Sequence, residues 1–245
     1  MEEVRASSGD ADRPTDSGDL RQPEHGNANL EDRLDAAIAV LGRRSGLMRS
    51  FAARYGRPRL YRDSFDPGRS NGPTHQHAYG FLVETLIYQQ LSGSSARAIL
   101  ARLVEAAPLE PEVLLALGAD RLRAIGLSAP KIRTLERLCK QVTPEELDQL
   151  NVLDDAAVRR FIVGLHGFGD WSADMYLMFH LHRFDVWPVG DLAMRRSVQR
   201  HLADGAVLSL DEVVALGDPF RPFRSLAAWY FWADDHAQGL GGAKS

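Results

Sequence analysis

Five residues, His166, Gly167, Phe168, Gly169 and Asp170, separate two runs of helical periodicity within the stretch FIVGLHGFGDWSADMYLMF, residues 161–179. On either side the apolar residues recur at the three- and four-residue spacing of amphipathic helices. A connection this short makes the two helices neighbours in space. Gly167 and Gly169 permit positive φ and the close approach of another backbone. The amides that open the second helix lack intrahelical partners and stand at the positive end of its dipole. Such a turn can hold a phosphate without any basic side chain. It is equally the shape of an ordinary helical hairpin with glycine at the first helix's C-terminus. The turn alone does not choose between them.

The rest of the chain repeats the helical pattern. Leu34, Ala37, Ile38 and Leu41 share one face, and RSGLMRSFAARYG continues in the same manner. Residues 57–74 are loop-like, with Pro58, Pro67, Gly68, Gly72 and Pro73. HAYGFLVETLIYQQLS predicts a strong helix with Phe81, Leu82, Thr85, Leu86 and Gln89 along one side, followed by SSARAILARLVEA. EPEVLLAL and ADRLRAIG read as short helices divided by Gly118, and APKIRTLERLCKQV, PEELDQL, DDAAVRRFIVGL, LAMRRSVQRHL, LSLDEVVALG and FRSLAAWYFWADDH complete the series. Only DVWPV suggests an extended strand. The expected fold is an all-α domain of about ten short helices over residues 30–240.

Residues 1–29 are polar and acidic, and are expected to be a disordered tail that cannot bury enough surface to offset its entropy. This matters for charge. Residues 1–32 hold nine acids against Arg5, Arg13 and Arg21, so a whole-chain balance of −4 leaves residues 33–245 at +2. A near-neutral body can carry a local basic face, so net charge neither supports nor excludes nucleic acid. Cys139 is the one cysteine. It rules out a disulfide or a four-cysteine iron–sulfur cluster within the chain and agrees with a reducing cytoplasm. No apolar run approaches the ~20 residues of a membrane span. His75 and His77, and His180 and His182, lack the further ligands at zinc-like spacing that a metal site needs.

The hairpin LHGFGDWSA, with WPVGDLAMRR downstream, resembles the paired motifs L-P-G-[IV]-G-x-[WK]-[TS]-A and P-V-[DG]-D of the HhH-GPD superfamily of base-excision DNA glycosylases. YQQLS, residues 88–92, is similar to that family's G-Q-Q-[IVL]-S helix end, and AIGLSAPKIRTLERL, residues 124–138, to its G-[LF]-S-x-x-K segment. FRPFRSLAAWYFW, residues 220–232, looks like the R-P-[WY]-R-S-x-A helix of the 3-methyladenine (alkylpurine) DNA glycosylase II branch. These pieces occur in the family's order. The resemblance implies the helix-hairpin-helix glycosylase fold, in two lobes with the active-site cleft between them. It also implies base-excision repair of alkylated purines in double-stranded DNA by a monomer, without membrane association.

By this resemblance Asp191 is the catalytic carboxylate. Read alone, it is the N-cap of LAMRRSVQRHL, and the two roles are compatible. A carboxylate beside the anomeric carbon stabilises the positive charge that builds on the sugar and orients the attacking water. Bifunctional relatives place a Schiff-base lysine where this chain has Trp171, which has no nucleophile, so the resemblance implies hydrolysis by water without strand cleavage. Trp171, Phe223 and Gln89 are expected to line the base pocket, and Gln90 to fill the gap left by the extruded base. Lys131, Leu165, His166, Gly167, Phe168, Gly169 and Ser172 are expected at the DNA, with Arg133, Arg195 and Arg196 as weaker candidates. Backbone carbonyls near Val163, Leu165 and Phe168 are expected to hold a monovalent Na or K ion, with no other cofactor. Tyr176, Trp187, Tyr230 and Trp232 read as core.

The sequence also departs from the pattern. His166 replaces a proline, Tyr88 a glycine, and Met175 and Leu192 stand where some alkylpurine enzymes have tyrosines. These departures leave open a different lesion, uracil or an oxidised purine, and a damage-binding module without catalysis.

Overall fold

The computed structural model describes residues 27–58 and 77–239. Those residues form twelve α-helices and no strand: α1 (Asn27–Arg44), α2 (Gly46–Tyr55), α3 (Ala78–Tyr88), α4 (Gly93–Ala106), α5 (Pro111–Ile125), α6 (Ala129–Gln141), α7 (Pro144–Asp148), α8 (Asp155–Gly164), α9 (Asp170–Met175), α10 (Leu192–Leu202), α11 (Leu210–Gly217) and α12 (Arg224–Ala237). Local chemistry sets most of the boundaries. Ser45, Ser92, Asp154 and Asp191 each accept a bond from an amide of the helix they open. Thr143 with Glu146, and Ser209 with Glu212, form reciprocal capping boxes. The predicted division at Gly118 appears as a break inside α5, where that residue adopts φ 72°. None of the described helices is long and apolar enough to cross a membrane.

Four expectations change. The helix α1 begins at Asn27, ahead of Leu30, while residues 1–26 of the expected tail and residues 59–74 of the expected loop lie outside the described residues. DVWPV forms no strand. It is held by contacts with other segments instead: the Val186 amide donates to Ser225 Oγ at 3.0 Å, and the Trp187 indole donates to the Val213 carbonyl at 2.8 Å. The helix α3 is buried on every side, including Glu84, rather than along one stripe, because α4, α6, α7 and α9 surround it. The helix after the hairpin is interrupted, since α9 passes into a wider π-helical turn over Tyr176–His180.

The helices sort into two groups. One contains α3 to α9, packed around the central α3. The other joins α1 and α2 to α10, α11 and α12, so the two ends of the described chain share a lobe. Phe51 of α2 packs against Tyr230 and Phe231 of α12 and against His201 of α10. Beneath them lies buried Asp234, which accepts bonds from Tyr55, Ser197 and Arg200, with His201 Nε2 at 2.9 Å. This cluster fixes α12 against α2 and α10. The expected core placement of Tyr176, Trp187 and Tyr230 holds.

Candidate active site and DNA interface

Asp191 stands at the seam between the two groups. It caps α10, its Oδ1 accepting the Met194 amide at 2.9 Å. Two tryptophans complete its surroundings. Trp171, from α9 of the hairpin, donates its indole N–H to Oδ2 at 2.8 Å, and Trp232, from α12, donates to Oδ1 at 2.7 Å. An ionised carboxylate is an acceptor with about four lone-pair sites. Oδ1 accepts two bonds and Oδ2 one, so Oδ2 is the oxygen with capacity left for water or a developing cation. The residue is half-buried. It is therefore neither sealed in the core nor swinging in solvent. Its cap and the two indoles fix both position and orientation.

The hairpin lies directly beside it. Gly167 adopts φ +85°, and a Cβ there would come within 2.7 Å of Thr134 on α6. Gly169 is different. It caps α9 at φ −129° with open space where a Cβ would stand, so the expectation of positive φ holds at only one of the two glycines. Leu165 and Phe168 are buried and anchor the turn to the core; any contact they make with DNA must come from their backbone. His166 is exposed and its Nδ1 accepts from Arg137 of α6 at 2.9 Å, because a guanidinium can only donate. Across the hairpin, Arg159 of α8 pairs with Asp174 at 2.5 Å and Asp170 at 3.4 Å, both on α9. Burial pushes the Asp174 carboxyl up to about 6, against the pull of Arg159.

Two site expectations need correction. Lys131 does not extend toward a phosphate. Its ammonium donates to the Ile87 carbonyl at 2.6 Å and the Gln89 carbonyl at 2.8 Å, and burial lowers its pKa to about 8. Gln89 does not aim its amide into an open pocket. It donates to the Gly167 carbonyl at 3.0 Å and to Ser172 Oγ at 3.2 Å, which also makes buried Ser172 an internal contact. Phe223 meets Phe184 edge-on at 6.3 Å. Gln90, by contrast, is exposed at the end of α3. Among the weaker candidates, Arg196 is paired with Asp235 at 2.6 Å, while Arg133 is exposed. At the departures from the family pattern, Tyr88 and Met175 are buried, and Leu192, next to Asp191, is 66% exposed.

Three residues of the site escaped the sequence reading. Trp232 was assigned to the core, yet it grips Asp191. Thr134 and Arg137 sit one helical turn apart on α6 and face the hairpin. A one-turn spacing on a helix near a family segment was the available signal, but nothing local said which face met the glycines.

An all-helical fold with a glycine hairpin beside a capped, indole-clamped carboxylate defines a helix-hairpin-helix protein with a candidate hydrolytic site. Residues 83–212 match the family model described as HhH-GPD superfamily base excision DNA repair protein, and the chain belongs to that family. It is similar to DNA-3-methyladenine glycosylase 1 of Schizosaccharomyces pombe, 28% identical over 179 residues that cover 69% of this chain and 76% of the relative. The crystal structure of a DNA-3-methyladenine glycosidase from Bacillus halodurans superposes with a TM-score of 0.59 at 27% identity, over 69% of this chain and 82% of the other. The Schizosaccharomyces pombe 3-methyladenine DNA glycosylase in complex with abasic DNA shares the fold, with a TM-score of 0.69 at 23% identity over 85% of this chain and 100% of the other.

Proposed function

We propose that this chain is a monofunctional DNA glycosylase of base excision repair, which extrudes an alkylated purine resembling 3-methyladenine and hydrolyses its N-glycosidic bond. The observation that carries the reading is the Asp191 carboxylate, clamped by Trp171 and Trp232 beside the hairpin. The names of the relatives agree with it. In this reaction the bond from the sugar's anomeric carbon to the base nitrogen breaks and the purine leaves with the electron pair. Oδ2 of Asp191 stabilises the cationic sugar and accepts a proton from the water that adds to it. The Trp171 ring presents an electron-rich face to a positively charged methylated purine, an attraction of about 0.5–2 kcal/mol.

Water, rather than a lysine, is the nucleophile in this reading. The position of the family's Schiff-base lysine is Trp171, and the ammonium of Lys131 is committed to the end of α3. A duplex carrying methylated purines tests the point. Free methylated base should appear with the strand intact until alkali is added. Strand breaks without alkali would overturn the monofunctional assignment, and absence of any released base would overturn the glycosylase.

A monovalent cation bound on the backbone of the hairpin is part of the same proposal. Val163 lies in the last turn of α8, where the helical ladder runs out; its carbonyl, with those of Phe168 and of Leu165, which also accepts the Phe168 amide at 3.1 Å, would hold such an ion on neutral oxygens. The ion would supply positive charge near a phosphate.

Trp232→Phe isolates the second indole. The substitution retains a ring against Phe179, on which Trp232 stacks at 5.7 Å, and removes only the donor to Oδ1. Single-turnover base release should slow about tenfold, as expected for a hydrogen bond to a charged group, with little change in melting temperature. An unchanged rate would reduce Trp232 to packing.

A further inference from the structure

The turn that follows α3 is strained and is held from two sides. The Leu91 amide donates back to the Tyr88 carbonyl at 3.3 Å. Between them Gln89 adopts φ −51°, ψ 126°, and Gln90 adopts φ 56°. These are angles of a type II turn, whose third position favours glycine or asparagine. A glutamine there bears the steric cost of left-handed backbone, and such a residue persists only where its surroundings over-determine it.

Those surroundings are specific. Lys131, in the first turn of α6, donates to the carbonyls of Ile87 and Gln89, on either side of Tyr88. The Ile87 carbonyl belongs to the unpaired end of α3, where a cation also meets the negative end of the helix dipole. The Gln89 side chain ties the same turn to the hairpin through Gly167 and Ser172. Gln90 and Leu91 are left exposed at the tip, Leu91 at 39%.

We propose that Lys131 is a latch: a positioning residue that locks the strained Tyr88–Leu91 turn so that Gln90 meets the DNA stack as a rigid tip. The inference rests on the glycosylase reading above and adds to it a residue remote from Asp191 that serves base extrusion. Without the latch, Gln90 relaxes to negative φ and the tip withdraws. Lys131 reaches the hairpin only through Gln89 and makes none of the bonds that hold Asp191, so the effect falls on opening the duplex before hydrolysis.

Lys131→Met keeps the aliphatic stem and deletes the donors. Hydrogen exchange at the Leu91 amide should accelerate about tenfold while amides in α10 stay at wild-type rates. Single-turnover base release should be compared for a methylated purine paired in duplex and for the same lesion in an unpaired loop. The paired-to-unpaired ratio should fall about tenfold, as for a contact that acts before the chemical step. Adding Gln90→Asn should restore most of it, because asparagine tolerates the left-handed conformation. Unchanged Leu91 exchange, or equal loss on both lesions, would overturn the latch. If the wild type releases no base from either substrate, the glycosylase reading fails instead, and Leu91 exchange alone decides the latch.

Discussion

Asp191→Asn is expected to slow base release from methylated duplex by about a hundredfold or more, the scale seen when a preorganised electrostatic contact to a transition state is removed. The fold should survive, because asparagine caps helices as well as aspartate does. The side-chain oxygen would keep the Met194 amide and the Trp232 indole, which meet on one oxygen. The amide nitrogen must then face the Trp171 indole, a donor opposite a donor, at the position where Oδ2 accepts at 2.8 Å. That mismatch should destabilise the protein by about 1–2 kcal/mol, a fall of a few degrees in melting temperature, at ~2–4 °C per kcal/mol. The affinity for duplex bearing an abasic-site analogue should stay near wild type, since the glycine turn, Leu165–Gly169, is untouched. Base release at the wild-type rate would show that this carboxylate is only a helix cap.

Gly167→Ala is expected to cost about 2–4 kcal/mol of stability, combining left-handed backbone with overpacking. The backbone stands at φ +85°, and the new methyl group would come within 2.7 Å of Thr134 Cγ2 and Oγ1. Adding Thr134→Ala should recover the steric part and leave the backbone part. Gly169→Ala is the contrast. Its φ is −129° and its surroundings are open, so stability should move by no more than about 0.5 kcal/mol. DNA affinity should nevertheless fall, because the methyl group would occupy the space in front of the helix where a phosphate approaches. Denaturant titration and binding to abasic duplex separate the two effects. Equal stability losses at both glycines would contradict this account of the turn.

These two glycines show how the site was partly readable. Their spacing between helical runs announced a hairpin, since glycine constrains backbone within a few residues of itself. Nothing nearby revealed that only Gly167 meets Thr134, because α7 and α8 lie between α6 and the turn. Lys131 illustrates the same limit in the other direction. It was expected at a phosphate because a lysine in a family segment suggests one, yet the carbonyls it binds belong to α3.

Amino-acid order alone determined the helical class, the breaks at Gly118 and after α8 and the cap at Asp191, because propensity, capping and turn chemistry act over a few residues; that the same carboxylate is the catalytic candidate came from the resemblance of its segment to the family motif. Tertiary structure decided which helices share a lobe, that Trp232 grips Asp191 from the edge of the core, and that α3 is buried all round. Each of these depends on contacts between segments distant along the chain, and no local pattern encodes the partner that a side chain finds after folding.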